Sequence, residues 1–256
     1  MPNIEKTYIF NNTIEIERGY SANYGRKMAG KNEKYRPTPE KMAEHNRKQA
    51  ENKLRRKIKA NFTSDDWHMT LTYDKRCRPL VEEAVKQINS LLRKARYFCK
   101  KTKQVLKYIV VTEYENAAIH HHVVINNFEG IMDFMKKNWK WNVNYSPIHD
   151  DDDVATLAAY LIKETEKTFR NKVGRKLRYS CSRNLVEPKA EVRIHKVRGF
   201  GEIKVPKRFA GNYIIDTDSI VETVNDLGHV HQSFTLKLVE DARKGQRWDT
   251  TITRPI

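Results

Sequence analysis

The chain has 256 residues, 39% of them hydrophobic and 32% charged, with a formal net charge of +17. That length can bury one sizeable core with appendages, and the charge attracts polyanions. No apolar run reaches the roughly 18 residues a membrane span needs, and the N-terminus lacks the basic-then-apolar pattern of a signal peptide. Cys77, Cys99 and Cys181 form no paired metal pattern. An odd set of cysteines without a secretory segment fits free thiols in a reducing compartment. The expectation is a soluble, cytoplasmic protein.

In chain order, Thr7 to Phe10 and Ile14 to Glu17 read as short strands joined at Asn11-Asn12. A basic stretch from Lys31 to Lys59 contains a helix over about 40–60, with Thr38 as its cap. Its apolar residues are few (Met42, Ala43, Leu54, Ile58). It reads either as a solvated helix packed by one thin stripe or as a surface for backbone phosphates, with Arg55, Arg56 and Lys57 in contact. Trp67 to Tyr73 then alternates as a half-buried strand, with His68, Thr70 and Thr72 on one face. From Pro79 a helix carries Val81, Ala84, Val85, Ile88, Leu91, Leu92 and Ala95 on one 3.6-residue face.

Strands follow at Leu106 to Thr112 and Ile119 to Asn126, then a helix over Phe128 to Asn138 and an alternating aromatic strand over Trp139 to Tyr145. A helix over about Asp152 to Thr168 begins among Asp150 to Asp153, where acidic groups suit the helix dipole. The order β-α-β-β-α-β-α predicts an α+β fold with a ferredoxin-like, RRM-like split β-α-β core. Its antiparallel sheet would carry helices on one face and leave the other open, with the Glu113 and histidine strands at the centre. Residues 1–65 read as a basic N-terminal extension, 66–186 as the core domain, and 187–256 as a β-rich addition that packs on the N-terminal strands.

The chemistry concentrates at Ile119-His120-His121-His122-Val123-Val124. Strand alternation sends His120 and His122 to one face, about 7 Å apart along the backbone, where they can share a metal ion. His121 points the other way and must find a hydrogen-bond partner or stay at a wet edge. A supporting or structural role is the expectation, with His121 as a ligand in the alternative register as the other reading. Solvated histidines at a strand end would look the same in isolation.

Three motifs in order resemble the HUH endonucleases, and among them the single-tyrosine rolling-circle replication initiators of plasmids and phages. His68-Met69-Thr70-Leu71-Thr72-Tyr73 is similar to the first motif of that family. His120-His121-His122 looks like its His-hydrophobic-His strand, with His121 at the position that is ordinarily apolar. Ala159-Tyr160-Leu161-Ile162-Lys163-Glu164 is similar to the nucleophile helix, and Tyr179 to Leu185 to a stretch that follows it. The resemblance implies sequence-specific nicking of single-stranded or hairpin origin DNA. Tyr160 would attack the phosphodiester, leaving a 5′-phosphotyrosine and a free 3′-OH primer.

A phenol with a pKa near ~10 is protonated at neutrality, so such a reaction benefits from a metal. The resemblance implies His120, His122 and a carboxylate as ligands. Glu113 fits the acidic position, with Glu115 as its rival. Imidazoles plus a carboxylate suit Mn²⁺, Mg²⁺ is the abundant ion, and zinc is compatible with the ligand types. Lys163, three residues after Tyr160 on the same helix, can neutralise a phosphate oxygen or help to lower the phenol's pKa. Glu164 is either a surface glutamate or a base for a terminating water. Thr70, Thr72 and Arg183 are further candidates for DNA contact.

No nucleoside-triphosphate P-loop is present, so a host helicase would unwind the duplex and a host polymerase would extend the primer; no oligomeric state is legible. Other readings are a relaxase or transposase of the same superfamily and a two-histidine phosphoesterase built on His68-x-Thr70 and His231-x-Ser233. A non-catalytic single-strand-binding module, stacking bases on an open sheet, is a third.

Overall fold

A computed structural model describes residues 3–21, 38–114, 118–148, 151–164, 178–196, 199–225 and 228–239. The chain divides into two compact units, residues 37–187 and residues 1–36 with 188–256.

The first unit begins with α1 (Pro39–Lys59), whose first turn is closed by Thr38 Oγ1 accepting from the Lys41 amide at 3.3 Å. There follow β3 (Trp67–Thr72), α2 (Val81–Thr102), β4 (Tyr108–Glu113) and β5 (His120–Ile125). The unit continues through α3 (Ile131–Asn138), β6 (Val143–Pro147), α4 (Asp151–Glu164) and β7 (Ser180–Cys181). The antiparallel sheet runs β6-β3-β5-β4-β7, the order of a split β-α-β core extended by one short strand. The expected α+β class is the observed one.

Both helices of that core lie on one face of the sheet. Met69, Leu71, Val110, Val123 and Ile125 bury against Ala84, Ile88, Leu91, Leu92 and Ala95 of α2 and Ile131 and Met135 of α3. The other face, which the sequence reading left open, is covered. Ile109, Val111 and Val124 pack beneath Leu54 and Ile58 of α1 and Val154, Ala158, Leu161 and Ile162 of α4. The reason is local: Leu54 and Ile58 stand one helical turn apart, and the α4 residues recur on one helical face, so each helix has an apolar stripe to bury. Helix α1, placed on sequence grounds in an N-terminal extension, thus belongs to the same unit as the sheet it covers.

Strand order also corrects the predicted centre. β5 is the middle strand, with β4 on one side and β3 on the other. Register aligns Glu113 with His120 across β4–β5, and Thr70 with His122 across β3–β5.

The second unit holds β1 (Asn3–Ile9), β2 (Thr13–Tyr20), β8 (Glu191–His195), β9 (Tyr213–Val224) and β10 (Val230–Leu238) in the order β8-β1-β2-β10-β9. The N-terminal hairpin therefore lies between C-terminal strands. Ile14, Ile16, Phe234 and Leu236 form its core with Ile203 and Val205. β9 had no clear sequence signal, because Asp216, Asp218 and Glu222 interrupt its apolar residues and its pairing with β10 shifts register between Ser233 and Thr235.

Among the described residues no helix is long and apolar enough to cross a membrane. The three cysteines are free thiols.

Candidate metal centre and its tyrosine

β4 and β5 present Glu113, His120 and His122 on the face covered by α1 and α4, and one donor atom from each lies within 4.8 Å of the others. His120 Nε2 is 2.6 Å from Glu113 Oε2, and His122 Nε2 is 4.0 Å from the same oxygen. Glu113 is only 3% exposed, and a carboxylate so buried requires a compensating cation.

His120 shows where that charge belongs. Its Nδ1 donates to the Ala118 carbonyl at 2.9 Å, while its Nε2 faces a carboxylate oxygen. A neutral imidazole carries one N–H, so the close approach of Nε2 to the carboxylate oxygen requires a proton shared between the two atoms or a cation at this point. The donor set of two imidazoles and one carboxylate fits Mn²⁺ and also Zn²⁺, with Mg²⁺ less suited to imidazole. Glu115, the rival third ligand, lies outside the described residues.

Burial disfavours the charged form of both His68 and His122. Burial pushes the His68 imidazole down to about 4, reinforced by His122. Burial likewise lowers His122, partly offset by the Glu113 carboxylate, while His120 adds to the lowering. A neutral ring is the form that ligates.

Tyr160 projects from the flank of α4, beside the buried stripe of Ala158, Leu161 and Ile162. Its hydroxyl is 3.5 Å from His122 Nε2, and the two rings meet edge to face with centroids 5.2 Å apart. At 41% exposed, the residue borders both the histidine cluster and solvent. Lys163 is exposed on the same helix; the side chain of Glu164 lies outside the described residues.

His121 points to the opposite face and is fully buried. Its Nε2 and the Tyr73 hydroxyl are 2.8 Å apart, its Nδ1 and the Thr112 hydroxyl 2.9 Å apart. Both nitrogens are thus engaged on the face opposite Glu113, His120 and His122.

The residues proposed for DNA contact scatter. Thr70 joins the cluster, with Oγ1 3.3 Å from His122 Nδ1. Thr72 pairs with His120 across the sheet. Arg183 is exposed after β7 and Arg55 is half-buried. Arg56 and Lys57 are buried, and the Lys57 ammonium bonds to Glu187. That position takes the Lys57 charge away from any external phosphate. The physical reason is the adjacency of both residues to Ile58, whose burial pulls this end of α1 onto the sheet.

Sequence reasoning gave His68 no part in the cluster, yet its Nε2 lies 3.2 Å from His122 Nδ1. The signal was present, since His68 shares a strand face with Thr70. It became readable only once β3 was placed beside β5.

Residues 66–169 match the family model for Replication-associated protein ORF2/G2P. The matched segment starts one residue before β3 and takes in the sheet strands β3 to β6, Glu113, the histidines and all of α4. No curated protein and no solved structure matches the chain. Over this core the chain is similar to replication-associated proteins, which points to DNA replication, and to its initiation, as the process served.

Proposed function

We propose that the chain is a metal-dependent DNA endonuclease and nucleotidyltransferase of HUH type that initiates rolling-circle replication. It nicks single-stranded or hairpin origin DNA. Supporting this most is one observation: the Tyr160 hydroxyl lies 3.5 Å from His122 Nε2, beside the one group of potential metal donors found among the described residues.

Tyr160 Oη attacks the scissile phosphorus and the P–O3′ bond breaks; the phenol gives its proton to solvent, and the departing 3′ oxygen takes one up from solvent to leave as a hydroxyl. The product is a 5′-phosphotyrosine with a free 3′-OH primer. Glu113, His120 and His122 would hold Mn²⁺ or Mg²⁺. The ion's contribution, when bound, is to polarise the phosphate and stabilise charge on the departing oxygen. Lys163 neutralises a non-bridging phosphate oxygen from the exposed side of α4. Thr70, Thr72, Arg55 and Arg183 are the candidates for holding the strand. A host helicase and polymerase complete the process, in the cytoplasm.

One rival reading loses ground. A stacking platform needs an open sheet face, and α1 and α4 occupy that face.

The test is a labelled single-stranded origin fragment incubated with the protein and Mn²⁺, followed by mapping of the nick. A covalent protein–DNA adduct should form, and Tyr160→Phe should abolish it while leaving Mn²⁺ binding intact. His120→Ala or His122→Ala should abolish both. An undiminished adduct with Tyr160→Phe would show that another residue is the nucleophile.

A further inference from the structure

His68 is not among the metal donors, but it lies against one of them. His68 Nε2 and His122 Nδ1 are 3.2 Å apart, the ring planes are 18° from parallel and the centroids are 5.3 Å apart. The centroid separation exceeds the nitrogen–nitrogen distance by about the two ring radii. The rings therefore meet edge to edge in nearly one plane, which points an N–H of one along the lone pair of the other.

Direction follows from what His122 has to do. Its Nε2 is the nitrogen turned towards Glu113 and Tyr160. A lone pair on Nε2 places the ring's single proton on Nδ1, and that N–H requires an acceptor. His68 Nε2 lies in line to accept it. Thr70 Oγ1, at 3.3 Å from the same Nδ1, is the second group within reach.

We propose that His68 is the positioning residue of the centre: it accepts the Nδ1 proton of His122 and so holds that ring in the tautomer and orientation that leave Nε2 free for a metal ion. This rests on the reading of Glu113, His120 and His122 as a metal site. The role is a matter of register. His68 and Thr70 share one face of β3, and Thr70 pairs with His122, so both reach Nδ1 from the side away from β4. Partners of this kind set ligand basicity and ring orientation, and their loss typically weakens metal binding by about 10–100-fold.

The full-length protein supplies two readouts. One is Mn²⁺ affinity, from the electron paramagnetic resonance signal of free Mn²⁺. The other is the long-range ¹H–¹⁵N spectrum of histidines in the metal-free protein, which reports the tautomer of His122. His68→Phe keeps ring volume and removes the acceptor; His68→Gln returns an acceptor oxygen near the place of Nε2. Should His68→Phe fail to fold by circular dichroism, His68→Asn, whose side chain stops short of Nδ1, replaces it.

The expected result is an Nδ1–H His122 in the wild type. With His68→Phe that preference should be lost and Mn²⁺ binding should weaken about tenfold or more, both largely returning with His68→Gln. Wild-type Mn²⁺ binding that His68→Phe leaves unchanged would overturn the proposal and spare the metal site. A loss that His68→Gln does not repair would also overturn it, as would one that Thr70→Val reproduces in full. A wild type that takes up no Mn²⁺ removes the metal reading and the proposal with it.

Discussion

Glu113 Oε2 and His120 Nε2 meet at 2.6 Å from directly paired positions on β4 and β5. Neither side chain spans a loop to reach the other, so the contact is held by the sheet's hydrogen-bond ladder. This fixes the anion of the donor set before any ligand arrives, which limits the conformational cost of binding a cation.

Glu113→Gln keeps the shape and removes the charge. Mn²⁺ affinity should fall by more than about 100-fold, because a ligand carboxylate is lost outright rather than merely loosened. Isothermal titration with Mn²⁺ measures it. Affinity within a few-fold of wild type would assign the anionic ligand elsewhere, with Glu115 the first residue to examine.

His121→Leu should separate structure from metal binding. It leaves the buried hydroxyls of Tyr73 and Thr112 facing methyl groups, a loss on the order of 2–4 kcal/mol. Denaturant unfolding should record that loss, while Mn²⁺ affinity changes little. A variant with wild-type stability and impaired metal binding would reverse the roles given to the middle and outer histidines.

Lys57 is predicted to act on stability. Burial by itself would lower its pKa, but the bond to Glu187 and the neighbouring groups outweigh it and the net shift is upward from 10.5. A raised folded-state pKa means that the stabilisation is complete below the unfolded value and is lost as pH climbs through the folded one. Lys57→Met should therefore lower the melting temperature by a constant amount between about pH 7 and 9, with the gap narrowing above roughly pH 10.5. The salt slope of DNA binding should be unchanged; a slope reduced by about one unit would make Lys57 a phosphate contact after all.

Residues 37–187, expressed alone, should fold and bind Mn²⁺ as the full chain does, since one compact unit contains the cluster and both helices that cover it. A fragment beginning at residue 66 removes Leu54 and Ile58, both fully buried. Losing either side chain costs about 2–5 kcal/mol, so the shorter fragment should be strongly destabilised. Circular dichroism melts of the two fragments decide it, and equal stability would show that α1 is dispensable to the sheet.

Much of the secondary structure was legible because its signals are local. Trp67 to Thr72 alternates in sequence, and burial alternates on β3 from His68 to Thr72. On α2 the expected positions Ala84, Ile88, Leu91, Leu92 and Ala95 are buried, joined by Cys99, while Val81 and Val85 are only half-buried. The α3 boundary was less legible: the expected start at Phe128 gives way to Ile131, after Gly130 in a left-handed conformation. A glycine at positive φ is a local device, but nothing in the apolar pattern marks where it interrupts the helix.

The candidate site divides in the same way. The sequence by itself determined that His120 and His122 share a face and that His121 does not, since successive strand residues alternate. It also set Tyr160 and Lys163 close together on one helix. Only the tertiary structure decided that β3 lies beside β5, bringing His68 to His122, and that α1 and α4 close the face over Val111 and Val124 while Tyr160 reaches the cluster from the flank. It decided as well that the N-terminal hairpin lies between strands from the other end of the chain. The physical reason is range. Periodicity reports which side of an element is apolar, whereas the partner for that side is chosen by burial and strand pairing between residues far apart in the chain.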